Sequence, residues 1–369
     1  MSAAPRSVLV IITRRIGDVL LATPVFRSLR RAWPGATIDA LVFDSTADAI
    51  SANADINRIR VIPERPNTFQ HIVFIAKLFR RYDLAISLLA GDRPTLYAYL
   101  AGRRRVGLLL PAQKERWKRR LLHHWVPFDN LNTHSVRMHL ALAGALGITP
   151  RPEVVVTWRD EDARQVNALL GAHSAQPIAV LHTYPKFNYK MWHRQGWLEI
   201  AQWLAGRGFR IVLSGSADAA ELAYIADLAR DMPPDAIIAA GKLSLGASAQ
   251  LVSRARIYVG PDTALTHVAA ALGVPTIALF GPSNPVKWGP WPRGHAVDTN
   301  PWRRCGSQRQ GTVTLLQGAG SCVPCLLEGC DRNIASFSDC LQALPARRVI
   351  QAAEESLAGF GMANDHTLK

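Results

Sequence analysis

The sequence predicts an α/β protein made of two doubly wound domains that face one another across a cleft. Three features carry this expectation. Short apolar runs alternate with helical stretches through both halves, the 369 residues suffice for two buried cores, and polar clusters fall just after the apolar runs. In the first half, SVLVIIT reads as a buried strand and LLATPVFRSLRRAWP as a helix stopped by Pro34. TIDALVF and NRIRVIP follow as strands, TFQHIVFIAKLFRRY as a helix and LAISLLA as a further strand. The polar, proline-containing stretch from Thr149 to about Gln176 interrupts the rhythm and carries a helix, RDEDARQVNALLGA. The rhythm then restarts with PIAVLHT, HRQGWLEIAQWLAGRG, FRIVLSGS and DAAELAYIADLARDM, and continues through RIYVGP to TIALFG. The expected domains are 1–165 and 166–345, followed by a C-terminal helix and tail over 346–369.

Composition narrows the partners. Forty-three Lys and Arg against 28 Asp and Glu give a net charge of +15 and a pI near 10.2, while mean hydropathy stays close to zero. Such a balance favours polyanions: nucleic acid, an anionic membrane face or phosphorylated substrates. The excess gathers in Arg103, Arg104 and Arg105 and in KERWKRR at 114–120. Zinc-finger spacing, an aromatic RNA-binding signature and a helix-turn-helix are all missing, so nucleic acid is not an expected partner. The opening apolar core, VLVII, is shorter than the ~7–15 residues of a secretory leader. No window approaches the ~18 uninterrupted apolar residues of a spanning helix, and a cytoplasmic location is expected.

Three strand ends hold candidate chemistry. After the first strand, RRIGDVLLATP places Gly17 and Asp18 at a helix start, where the carboxylate either caps amides or acts as a base. It is not a dinucleotide fingerprint, because G-x-G-x-x-G is absent. After the first strand of the second domain, LHTYPKFNYKMWHRQGW gathers His182, Thr183, Lys186, Lys190, Trp192 and His193, which suits a phosphate or else a surface loop with its tryptophans packed down. Late in the chain, GPDTALTHVAAALGVPTIALFG starts a helix with Asp262, Thr263, Thr266 and His267, more polar groups than one cap requires. The amides of Thr263, Ala264 and Leu265 would point from the positive end of the helix dipole toward an anion, and a diphosphate explains the crowding best.

These stretches together resemble glycosyltransferase family 9, the bacterial heptosyltransferases that move heptose from an ADP-sugar to the inner core of lipopolysaccharide. The resemblance covers roughly residues 7 to 345. It rests on RRIGDVLLATPVFRSLRRAWPGATID, LAGRRRVGL, KMWHRQGWLEIA and GPDTALTHVAAALGVPTIALFGPSNP. It implies a GT-B fold of two Rossmann-like domains, with the acceptor on the first and the nucleotide sugar on the second. By the same resemblance Asp18 is the general base and Lys190 reaches the donor phosphates, with Thr183 nearby. Asp262, Thr263, Ala264, Leu265 and His267 hold the diphosphate. Glu221, with Asp218 close behind, holds the ribose, and Arg15 with Arg103, Arg104 and Arg105 meets an anionic acceptor. The implied reaction inverts the anomeric centre and requires no cofactor. The basic clusters are then expected to hold the enzyme on the inner face of the inner membrane, a peripheral attachment worth about 1 kcal/mol per Lys or Arg.

Five cysteines lie late in the chain, and Cys322, Cys325, Cys330 and Cys340 are spaced C-x2-C-x4-C-x9-C. This spacing allows a structural zinc or iron site, and equally reduced thiols. Two further readings stay open. The acceptor could be a protein or another surface glycan, with the stretch from Trp288 to about Gly320 adjusting either substrate, or the chain could be a non-catalytic nucleotide-sugar-binding module.

Overall fold

The computed structural model describes residues 4–112, 115–171 and 176–364. Lys114 of the basic run and residues 365–369 of the expected tail lie outside the described residues. The chain forms two compact units, Met1–Val156 with His295–Asn300, and Thr157–Gly294 with Pro301–Lys369.

The first unit is built on six parallel strands: β1 (Ser7–Ile11), β2 (Thr37–Phe43), β3 (Arg58–Ile62), β4 (Tyr82–Ser87), β5 (Gly102–Leu109) and β6 (His124–Pro127). Their order is β3-β2-β1-β4-β5-β6. The chain leaves β1 toward one side and β4 begins the other, so the switch point lies between β1 and β4. SVLVI is buried almost throughout because helices cover both faces of a parallel sheet. The expected first helix is divided. Ile16–Leu21 and Thr23–Ala32 are separate helices joined at Ala22, with Pro24 in the first turn of the second, where a missing amide hydrogen costs nothing. Thr68–Leu78 is helical, opened by a reciprocal capping box between Asn67 and Gln70. Arg103–Arg105 belong to β5 rather than to a loop.

The second unit holds β7 (Ile178–His182), β8 (Arg210–Ser214), β9 (Ile237–Ile238), β10 (Ala255–Pro261), β11 (Thr276–Phe280), β12 (Gln308–Gln310) and β13 (Val313–Gln317). They run in the order β12-β13-β11-β10-β7-β8-β9, all parallel except β12. Here the switch point falls between β10 and β7. The helix Asp160–Leu170 packs on the helix Leu245–Ser253 of this unit, with Ser244 Oγ 2.5 Å from Asp162 Oδ1. The boundary expected at 165/166 therefore falls inside a helix, and the chain passes between units at Val156–Thr157 instead. His295–Asn300 return to the first unit, where Arg137 binds the carbonyls of Val297 (2.8 Å) and Asp298 (2.9 Å) and the side chain of Asn300 (3.0 Å).

Candidate functional site

The second unit concentrates buried polar groups where β10, β7 and β8 end. The turn Asn188–Lys190 brings Lys190 Nζ to 2.6 Å from Asp262 Oδ2 and 3.2 Å from the Asp262 carbonyl oxygen. Burial alone would raise the Asp262 carboxyl, but the charges of Lys190 and His267 outweigh it and hold the acid below its ordinary range. Asp262 thus fixes the ammonium at the start of the helix Ala264–Leu272. Thr263 precedes that helix in extended conformation and makes no side-chain cap. The amides of the first turn have no acceptor within the helix, so their partial positive charge faces outward.

The surplus polar residues of this helix divide by role. Thr266 is structural: its hydroxyl bonds the Pro261 carbonyl oxygen at 2.5 Å and Tyr258 Oη at 3.0 Å. His267 is buried, and burial pushes its imidazole down to about 4 against the pull of Asp262, so it is neutral near pH 7. Its Nδ1 has no hydrogen-bond partner among the described residues. The Thr183 hydroxyl, buried at the end of β7, is likewise unpartnered among the described residues. Orphaned polar atoms of this kind cost about 1–3 kcal/mol each unless something arrives to pair with them.

Glu221 and Asp218 separate cleanly. Asp218 is exposed and caps the helix Ala219–Ala229, accepting from the amides of Ala220 (3.0 Å) and Glu221 (3.1 Å). Glu221 is buried one turn later, with one oxygen accepting from Ser216 Oγ and Oε1 unpartnered among the described residues. Burial raises its carboxyl above the ordinary value, with the Ser216 bond acting the other way. A Cβ at Gly215 would sit 2.6 Å from Glu221 Oε1, so only glycine lets this carboxylate lie against the end of β8. Gly215 and Ser216 were visible in the sequence only as a strand-end SGS.

The loop after β7 delivers fewer ligands than its composition suggests. Trp192 and Trp197 are core residues in edge-to-face contact, with centroids 5.0 Å apart. His193 caps the helix Arg194–Ala205, its Nδ1 accepting from the Gly196 amide at 2.9 Å. His182 lies 3.1 Å from Ser214 Oγ, and burial lowers it to about 4. Lys186 is exposed, which leaves Thr183 and Lys190 as the residues of this loop gathered at the strand ends.

In the first unit, Asp18 stands in the first turn of Ile16–Leu21, past the carboxyl end of β1 and at the switch point. Arg14 Nε approaches its Oδ2 to 3.7 Å, and Arg15 is exposed beside it. Arg103, Arg104 and Arg105 are not brought to this edge. The register pairs Gly102 with Tyr82 and Gly107 with Ser87, so the three arginines open β5 at the amino edge of the sheet. Arg103 faces Asp83 at 3.8 Å, and Arg105 lies over the Tyr99 ring and binds His123. The basic run differs, because it follows the carboxyl end of β5. Within it Lys118 is buried, bonded to Glu115, to Asp92 (2.5 Å) and to the Ala90 carbonyl oxygen (3.0 Å), so its charge is satisfied internally, while Arg116 and Arg120 are exposed.

The four-thiolate site is not assembled. Cys322 and Cys330 are exposed, Cys325 and Cys340 are half-buried, and all are free thiols. Burial, reinforced by Cys325, Cys330 and Cys322, pushes Cys340 up to about 11. Among the described residues no three His, Cys, Asp or Glu side chains are placed to hold a metal ion.

Known proteins share the fold. The family model for glycosyltransferase family 9 (heptosyltransferase) matches residues 79–312. Lipopolysaccharide heptosyltransferase 3 of Escherichia coli is 27% identical over 290 residues, covering 74% of this chain and 83% of that protein. The structure of E. coli ADP-heptose lipopolysaccharide heptosyltransferase II superposes with a TM-score of 0.74 at 20% identity, over 96% of this chain and 99% of the other. E. coli heptosyltransferase WaaC with ADP-2-deoxy-2-fluoro heptose gives 0.70 at 20% identity, over 95% and 99%. Two mostly parallel sheets with polar groups at their switch points form a GT-B fold, and the chain belongs to glycosyltransferase family 9, the heptosyltransferases.

Proposed function

We propose that the protein transfers heptose from ADP-heptose to the inner core of lipopolysaccharide, with inversion, while attached peripherally to the inner face of the inner membrane. The observation that carries the donor half is the set of buried polar atoms on Thr183, Glu221 and His267 that are unpartnered among the described residues, at the ends of the adjoining strands β7, β8 and β10. The diphosphate of the donor suits Lys190 and the amides of Thr263, Ala264 and Leu265, and the ribose hydroxyls suit Glu221 Oε1. The names of the relatives and of the bound donor analogue supply the sugar and acceptor class.

In this reaction an acceptor hydroxyl attacks the anomeric carbon as the C–O bond to ADP breaks. Asp18 takes the hydroxyl proton during attack, which typically contributes ~10²–10⁴ in rate. The leaving diphosphate gains negative charge, and Lys190 with the helix amides stabilises it without reorganisation. Bond making and breaking need no cofactor. Arg15, on the same edge as Asp18, suits an anionic acceptor better than Arg103, Arg104 and Arg105, which open the opposite edge.

Incubation with ADP-heptose and lipopolysaccharide core acceptors, comparing the wild type with Asp18→Asn, tests the reading. The expected result is product from the wild type, a fall of about 10²-fold or more in the variant, and equal ADP binding by both. Full activity in Asp18→Asn removes the base from Asp18, and absence of product from any core acceptor removes the substrate.

A further inference from the structure

The helix Thr68–Leu78 of the first unit is apolar on two faces. Inward, Leu78 is buried, Phe74 and Ile75 pack on the core beside β1 and β4, and His71 Nε2 lies 2.9 Å from Tyr97 Oη. Outward, Phe69, Ile72 and Ala76 recur at the spacing of a second helical stripe, and Phe79 follows just past the helix end. Phe69 is 76% exposed, Ile72 61% and Phe79 58%. Capping box and core face already account for the helix, so the outer stripe adds nothing to folding. It is collared by charge: Arg65, Lys77, Arg80 and Arg81 are exposed, and no Asp or Glu occurs from 65 to 81.

An outward apolar stripe with a basic collar matches the boundary between anionic headgroups and acyl chains. A second copy of this +15 chain seated on the same face would bring two basic collars together, which disfavours a dimer. We propose that this helix is the membrane-docking element: Phe69, Ile72 and Phe79 enter an anionic bilayer while Arg65, Lys77, Arg80 and Arg81 meet its phosphates. The inference rests on the peripheral attachment in the proposed function and names the residues that perform it. The helix starts from the carboxyl end of β3, on the sheet edge that also carries Asp18. It runs back to the amino edge, where Phe79, Arg80 and Arg81 precede β4, so the stripe spans the sheet from one edge to the other.

The test is cosedimentation of the full-length protein, without sugar substrates, with vesicles of phosphatidylcholine alone or mixed with phosphatidylglycerol. The wild type is expected to bind the anionic vesicles at least about tenfold more tightly than the neutral ones. The triple variant Phe69→Ser, Ile72→Ser, Phe79→Ser is expected to lose at least about tenfold on anionic vesicles. Lys77→Gln, Arg80→Asn, Arg81→Gln is expected to lose the preference for anionic lipid; Asn suits position 80, where φ is 50°. Unchanged ADP binding and unchanged transfer to a deacylated core saccharide report that the apolar variant is folded and active, with transfer to vesicle-borne acceptor reduced. Vesicle binding unaltered by the apolar triple variant overturns the proposal, as does a wild-type dimer that this variant dissociates without changing vesicle binding. Failure of the transferase reading appears separately, as no transfer to either acceptor.

Discussion

Glu221 keeps one carboxylate oxygen bonded to Ser216 and the other buried with no partner among the described residues, an arrangement with a measurable consequence. Glu221→Gln preserves the shape but replaces an acceptor pair with one acceptor and one amide donor. If Oε1 receives a ribose hydroxyl, the variant raises the KM for donor about tenfold while kcat changes little, since the ribose is remote from the reacting carbon. Equal steady-state kinetics for both proteins would remove Glu221 from the donor site. The choice between Glu221 and Asp218 was not legible in the sequence, because both acids follow the same strand. Helix phase separates them: the first residue of a helix start turns its side chain to the amides, and the residue three positions on turns inward against Gly215.

At the level of elements, the segment from β7 into Arg194–Ala205 is held by aromatic packing. Trp192 donates to the Leu344 carbonyl oxygen at 2.7 Å and rests on Gly196, where an added Cβ would run into the indole ring. Gly196→Ala gains helix propensity of roughly 0.5–1 kcal/mol, but it must displace a ring already wedged against Trp197. Overpacking of this kind costs about 1–3 kcal/mol, so a lower melting temperature is expected, with donor binding weakened through the adjoining Lys190 loop. A melting temperature equal to or above the wild type's would show that Trp192 yields freely. Elements themselves were readable from periodicity: TIDALVF became β2 residue for residue, and TFQHIVFIAKL became a helix. Which edge of a sheet a motif occupies was not readable. Arg103–Arg105 read only as a basic cluster suited to an anionic acceptor, and the pairing of β5 with β4 assigns them to the amino edge.

For the molecule as a whole, buried His267 and half-buried His182 couple stability to pH. His182 and His267 are each lowered by burial from 6.5 to about 4. Above pH 6.5 both are neutral folded and unfolded, and their burial costs no protonation energy. Between 6.5 and about 4 the unfolded chain takes up protons that the folded chain refuses, so stability falls by up to ~1.4 kcal/mol per pH unit for each site. Below 4 this contribution is exhausted. Denaturant midpoints across this range should fall less steeply in His182→Asn, His267→Asn than in the wild type, and an identical pH profile would assign the acid sensitivity elsewhere. Among the described residues no helix is long and apolar enough to cross a membrane, and the Thr68–Leu78 helix instead carries apolar side chains on two faces. That helix also marks how far sequence can go. The alternation of strands and helices, the paired α/β units and the polar strand ends followed from local periodicity and hydrogen-bonding chemistry, which neighbouring residues settle among themselves. The inward and outward faces of a doubly apolar helix, the edge occupied by the arginines, the satisfied Lys118 and the placement of the thiols depended on strand order and register. Those are fixed by contacts between residues far apart in the chain, and local pattern carries no record of them.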